Sequence, residues 1–185
     1  MKNSEEIYTE LLTIQCRRGD NGAFMKLVRL YQQRLFFYIR RMTGNEDDTW
    51  DILQQTWLVV FQELKKLRDV SRFVPWLYRI ARNRAISQIR ADKRQETISL
   101  DDLEIDVPDE TDDDFDQWEA EEIRTALDTL SDPHREVLTL YFLEDFTIDE
   151  IANITDSPPG TVKSRLHYAK KAMKKAIKRG WLTHE

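Results

Sequence analysis

Thr161, Lys163, Ser164 and Arg165 gather hydroxyl, ammonium and guanidinium groups at one end of an amphipathic stretch. These groups donate hydrogen bonds and carry charge, which suits phosphate oxygens and base edges rather than bond making. Just before them runs Thr155-Asp156-Ser157-Pro158-Pro159-Gly160, a turn by composition. Thr147 stands three residues ahead of Glu150, a capping box that predicts a short helix through Ile148, Ile151 and Ala152. After the turn, Val162, Leu166, Ala169, Met173 and Ile177 form the seam of a long helix, with Lys163, Lys170, Lys174 and Lys178 facing largely away. A short helix, a tight turn and a basic helix make a helix-turn-helix, whose second helix enters the major groove. There Arg165 could pair with a guanine edge, and Thr161 and Ser164 could reach phosphates or bases. The rival reading is a hairpin with a solvated basic face. Ser157 to His184 holds eight bases and no acid, which weighs against it.

A second basic cluster interleaves rings: Arg72, Phe73, Trp76, Tyr78, Arg79, Arg82, Arg84, Arg90, Lys93 and Arg94. Cations beside exposed rings suit single-stranded DNA, because unstacked bases lie on aromatic faces while Arg and Lys hold phosphates. The rival reading is that Phe73, Trp76 and Leu77 are core, and it is the favoured one for Trp76 and Leu77.

Other chemistries find no support. Cys16 is the single cysteine, and His134, His167 and His184 stand alone, so no disulfide framework or metal site is expected. Five glycines are present, none clustered to cradle a phosphate. No Ser/His/Asp or Cys/His constellation stands out, and no apolar run approaches the roughly 18 residues of a membrane span. Residues 1–10 carry acids and no apolar core, unlike a signal peptide. The expectation is a cytoplasmic protein that is not an enzyme and uses no cofactor.

The net charge of −6 argues at first against a nucleic-acid partner, but it is an average. Residues 1–95 hold 18 bases against 11 acids, a net of +7; residues 96–122 hold 14 acids and no base; residues 123–185 come to +1. The acidic strip from Thr97 to about Asp116 has a proline, poor periodicity and strong self-repulsion, which favours an extended linker. It is either a solvated tether or, through Ile98, Leu100, Leu103, Ile105 and Val107, an anionic strand for a partner's positive channel.

Everything else reads as helix. Helices are predicted from Thr9 to Arg18, from Asn21 to Thr43, and after an Asn45 cap, with Ile52, Leu53, Trp57, Val60, Phe61 and Leu64 inward. Another runs from near Ser71 to about Asp92 with Pro75 in its first turns. Gln117 to Leu130 is amphipathic, and a helix starting at Ser131-Asp132-Pro133 turns Val137, Leu138, Tyr141 and Phe142 inward.

Three stretches resemble the sigma-70 family, specifically the extracytoplasmic-function (ECF) sigma factors. DDTWDILQQTWLVVF (Asp47 to Phe61) is similar to the helix that docks on the β′ clamp of RNA polymerase. FVPWLYRIARNRAISQIR (Phe73 to Arg90) resembles the segment that melts and reads the minus-ten element. FTIDEIANITDSPPGTVKSRLHYAKKAM (Phe146 to Met173) resembles the minus-thirty-five reader. The resemblance implies an all-α chain of two small domains: residues 1–95 as sigma domain two, 96–117 as linker, and 118–185 as sigma domain four. It implies polymerase contacts at Asp48, Asp51, Gln54, Gln55 and Trp57. It implies minus-ten contacts at Arg72, Trp76, Arg79, Arg82, Asn83, Ser87 and Arg90, with the loop Lys65 to Val70 holding an extruded base. The minus-thirty-five set becomes Thr161, Lys163, Ser164, Arg165, His167 and Tyr168. Implied partners are core RNA polymerase (β′ clamp and β flap), promoter DNA and an anti-sigma factor, with no small-molecule substrate. Asp156 stands where the family's turn usually has glycine, so a different local conformation is expected there. The alternatives are a stand-alone helix-turn-helix regulator and a helical adaptor that binds protein only.

Overall fold

The computed structural model describes residues 3–93, 125–127 and 129–182, without the side chains of 92–93 and 178–182. These residues form helices and turns, with no strand among them, as the all-α reading expects. They fall into two compact units, each described by itself.

The first unit holds α1 (Ser4–Arg17), α2 (Asn21–Thr43), α3 (Glu46–Glu63) and α4 (Phe73–Lys93), with 3-10 turns at Leu64–Lys66 and Val70–Arg72. α1 begins before the expected Thr9. Asn3 Oδ1 accepts from the Glu6 amide at 2.8 Å, and the Glu6 carboxylate accepts from the Asn3 amide at 3.0 Å. That capping box nucleates the helix ahead of its apolar repeat. Asp20 caps α2 through the Ala23 amide at 3.0 Å, and Asn45 caps α3 through the Asp47 amide at 2.9 Å. Each such cap contributes about 1 kcal/mol.

The core contributes more. α2 buries Ala23, Leu27, Tyr31, Leu35, Tyr38 and Ile39. They meet Ile52, Leu53 and Val60 of α3 and Leu77, Tyr78, Ala81 and Ala85 of α4, all buried. The Tyr38 and Tyr78 rings lie 5.2 Å apart, and those of Tyr31 and Phe73 6.1 Å. Each large apolar side chain so buried is worth about 1.5–3 kcal/mol, which sets the packing above the caps.

Buried threonines complete this core without loss of hydrogen bonding. Thr13 Oγ1 donates to the Thr9 carbonyl and Thr56 Oγ1 to the Ile52 carbonyl, both at 2.7 Å. Thr9 Oγ1 shares a 2.8 Å hydrogen bond with the Tyr31 hydroxyl. With its hydroxyl turned to its own helix, a threonine packs like valine. The inner stripe of α3 is therefore Thr49, Ile52, Leu53, Thr56 and Val60. Phe61, expected inside, is 52% exposed, and Trp57 is half-buried. Cys16 is buried; loss of solvent, with the Asp20 carboxylate adding, pushes its thiol up to about 11 and keeps it unreactive.

The second unit holds α5 (Asp132–Leu138), a π-helical turn at Thr139–Leu143, α6 (Ile148–Thr155) through Ala152, and α7 (Pro159–Leu182). Arg135 ties α5 to the segment before it, with Nε donating to the Leu127 carbonyl at 3.0 Å and Nη2 to the Leu130 carbonyl at 2.9 Å. Ala126, Leu127 and Leu130 are buried as expected, whereas Trp118, Ile123 and the acidic strip lie outside the described residues. The wider π turn shifts the phase of its side chains. Thr139 and Leu140 go inside, and Tyr141 and Phe142, expected inward, stay half-buried under the Lys170 ammonium at 5.5 and 5.2 Å. The predicted α7 seam of Val162, Leu166, Ala169, Met173 and Ile177 is buried throughout.

Asp156 ends α6 at φ 53°, ψ 43°. This is the left-handed conformation a glycine would supply, so the expected departure in the turn does not occur. Aspartate tolerates that region better than branched residues do. Asp156→Val is expected to lower the unfolding free energy by about 1–2 kcal/mol in chemical denaturation, with Asp156→Asn close to neutral.

Candidate nucleic-acid interface

On α4, Phe73, Leu77, Ala81 and Ala85 have no exposure. Trp76, Arg79, Asn83, Ser87 and Arg90 recur at steps of three and four, so the helix turns them together to the other side. Arg79, Asn83, Ser87 and Arg90 are exposed, and Trp76 is half-buried with its ring 6.2 Å from that of Phe73. Ser87 Oγ donates to the Asn83 carbonyl at 2.8 Å, which commits that hydroxyl to its own helix. Arg82 is half-buried and off the row. Arg72 is exposed on the preceding 3-10 turn, with Nε 3.6 Å from Asp69. A surface pair of this kind is worth under about 1 kcal/mol and yields readily to a phosphate. Lys65, Lys66 and Arg68 are exposed beside it. The outer row of α4 thus combines a ring, an amide and cations.

α3 presents a different surface. Asp48, Asp51 and Gln55 share a row with Gln54 beside it; Asp48 is half-buried and the other three exposed. Trp57 does not join them. It meets Phe24 edge-on at 5.9 Å, and its indole Nε1 is buried without a partner. Leu58, 58% exposed, continues the face of Asp51 and Gln54. The inward stripe read from the sequence leaves Leu58 out, but its apolar side chain gave no sign of belonging to a polar face.

On α7 the exposed line runs through Gly160 and Lys171, with Ser164 and His167 half-buried along it and Tyr168 half-buried beside it. The His167 and Tyr168 rings meet edge-on at 5.4 Å. Thr161 is half-buried at the start of the helix. Lys163 is exposed at a cleft lined by Tyr141, Phe142, Phe146 and Ile148, with Asp145 and Asp149 at its edge. Lys171 was not singled out in the sequence, although it follows Ser164 and His167 at helical spacing. Arg165 is half-buried, its Nη1 donating to Ser157 Oγ at 3.1 Å. His134 on α5 has its pKa lowered, first by burial and then by the Arg165 charge. Among the described residues no cluster of His, Cys, Asp and Glu could hold a metal ion, and no helix is long and apolar enough to cross a membrane.

A helix-turn-helix in one unit and a cationic, ring-bearing helix in the other are the parts of a DNA-binding protein. Residues 27–95 match the sigma-70 region 2 family and residues 120–173 match sigma-70, region 4. The chain is 27% identical over 184 residues to the ECF RNA polymerase sigma factor SigW of Bacillus subtilis (strain 168), spanning 89% of this chain and 94% of that protein. It is 30% identical over 181 residues to the ECF RNA polymerase sigma-E factor of Salmonella typhimurium (strain LT2), spanning 92% and 94%. The co-crystal structure of the sigma factor RpoE with the anti-sigma factor NepR from Bartonella quintana shares the fold, with a TM-score of 0.65, 23% identity and coverage of 84% of this chain and 96% of that one. The chain belongs to the ECF RNA polymerase sigma factors.

The lowered His134 pKa has a stability consequence. The unfolded chain binds this proton more readily than the fold, so stability falls as pH drops through the unfolded histidine value of about 6.5. His134→Gln is expected to flatten the dependence of the melting midpoint on pH between about 7 and 5. An unchanged slope in calorimetry would contradict this.

Proposed function

We propose that this ECF sigma factor divides promoter recognition between its two units. The chain directs core RNA polymerase to particular promoters and starts transcription there, and in this reading it makes and breaks no covalent bond itself. Residues 1–95 act as sigma domain two and residues 118–185 as sigma domain four, joined by the acidic linker at 96–117. The observation that carries the division is the single row of Trp76, Arg79, Asn83, Ser87 and Arg90 opposite the buried side of α4. An unstacked base can lie on the Trp76 ring while the arginines, with Arg72 and Arg82 at the flanks, hold phosphates. A stand-alone helix-turn-helix regulator has no use for such a row.

The polar face of α3, with Asp51, Gln54 and Gln55 exposed and Asp48 half-buried, is the docking surface for the β′ clamp, and Trp57 supports it from behind. The unit that holds α7 docks on the β flap and reads the minus-thirty-five element through Thr161, Lys163, Ser164, His167 and Tyr168. A protein of this kind works in the cytoplasm, where promoter and polymerase are. An anti-sigma factor belongs to the same reading, since RpoE, which shares this fold, was crystallised with one.

Asp51→Ala combined with Gln54→Ala is expected to abolish capture of core polymerase in a pull-down while leaving the melting midpoint within a few degrees of wild type, because both side chains are exposed. Undiminished capture would remove α3 from the docking surface.

A further inference from the structure

Arg165 behaves unlike the lysines around it. Its Nη1 bonds the hydroxyl of Ser157, which belongs to the turn rather than to α7. The guanidinium also lies near enough to His134 on α5 for its charge to act on the imidazole. On α7 it falls at the boundary between buried Val162 and Leu166 and the line of Ser164 and His167. One side chain therefore ties the turn to the recognition helix. Reading a guanine would require the guanidinium fork to present two donors to O6 and N7 together. A fork held from the side by Ser157 is a poor candidate for that contact.

Resting on the promoter-reading function above, we infer that Arg165 is a positioning residue, held by Ser157, that fixes the angle at which α7 meets DNA. Base discrimination then falls to Ser164, His167 and Tyr168. Arg165 fits the role because its fork is rigid and permanently charged, so it can brace two elements at once. A lysine keeps the charge and loses the brace.

The test uses the full chain assembled with core polymerase and a duplex library randomised across the upstream promoter element. Arg165→Met is expected to weaken binding about tenfold on every library member while leaving the order of preference intact, the size of one lost charge-assisted hydrogen bond. Arg165→Lys should behave in the same way, which keeps the test usable if the Met variant does not fold. Ser157→Ala should give a milder uniform loss that Ser157→Thr restores, whereas His167→Ala should change the preferred base at its own position. Relaxed preference at a single base pair in Arg165→Met would make Arg165 a base reader and overturn the inference. Unchanged affinity in Ser157→Ala would overturn it as well. A wild-type assembly that enriches no sequence at all would overturn the promoter-reading function itself, together with the inference built on it.

Discussion

The burial of Leu77, Ala81 and Ala85 beneath α4 is the interaction on which the proposed DNA-facing row depends. A helix with 3.6 residues per turn can press only one stripe into a core, and the opposite stripe is then fixed in space. Trp76, Arg79, Asn83, Ser87 and Arg90 are what that constraint leaves over. The same logic acts on α3, where Ile52, Thr56 and Val60 go inward and Asp51, Gln54 and Leu58 are left exposed. In the second unit the seam from Val162 to Ile177 sets the line from Ser164 to Lys171. A change in any of these seams would rotate a whole row, not a single residue.

Charge follows the same division of labour. The net of −6 is a basic first segment, an acidic strip and a third segment with a basic tail. Long-range attraction to DNA therefore arises from the two ends, whatever the overall sign. Local contacts then refine it. Lys170 is drawn back over Tyr141 and Phe142, and Arg165 is tied to Ser157, so these cations shape the unit. Lys163 and Lys171 stay exposed and suit phosphates better.

Much of this was legible in the chain. Spacings of three and four placed the helices and the α7 seam, because core and surface alternate at the helical period, whereas the members of the α4 row came from the family resemblance. What escaped had specific physical causes. Thr49 and Thr56 pass as polar in any count, yet their hydroxyls bond their own helix and they pack in the core. The start of α1 depends on a capping box at Asn3 and Glu6 rather than on apolar residues. The π turn at Thr139–Leu143 breaks the phase on which the inward assignment of Tyr141 and Phe142 relied. Asp156 adopts the backbone of the glycine it replaces, which residue identity alone does not disclose. Spacing read Trp57 as inward and motif membership grouped it with the docking residues; its packing against Phe24 follows the first reading.

Run-off transcription with core polymerase and a library of genomic templates addresses the central claim most directly. The account predicts that adding this chain yields discrete transcripts whose templates share two spaced upstream elements, one melted and one read as duplex. Core polymerase that starts no new transcripts in its presence, or transcripts from templates sharing a single duplex element, would contradict it.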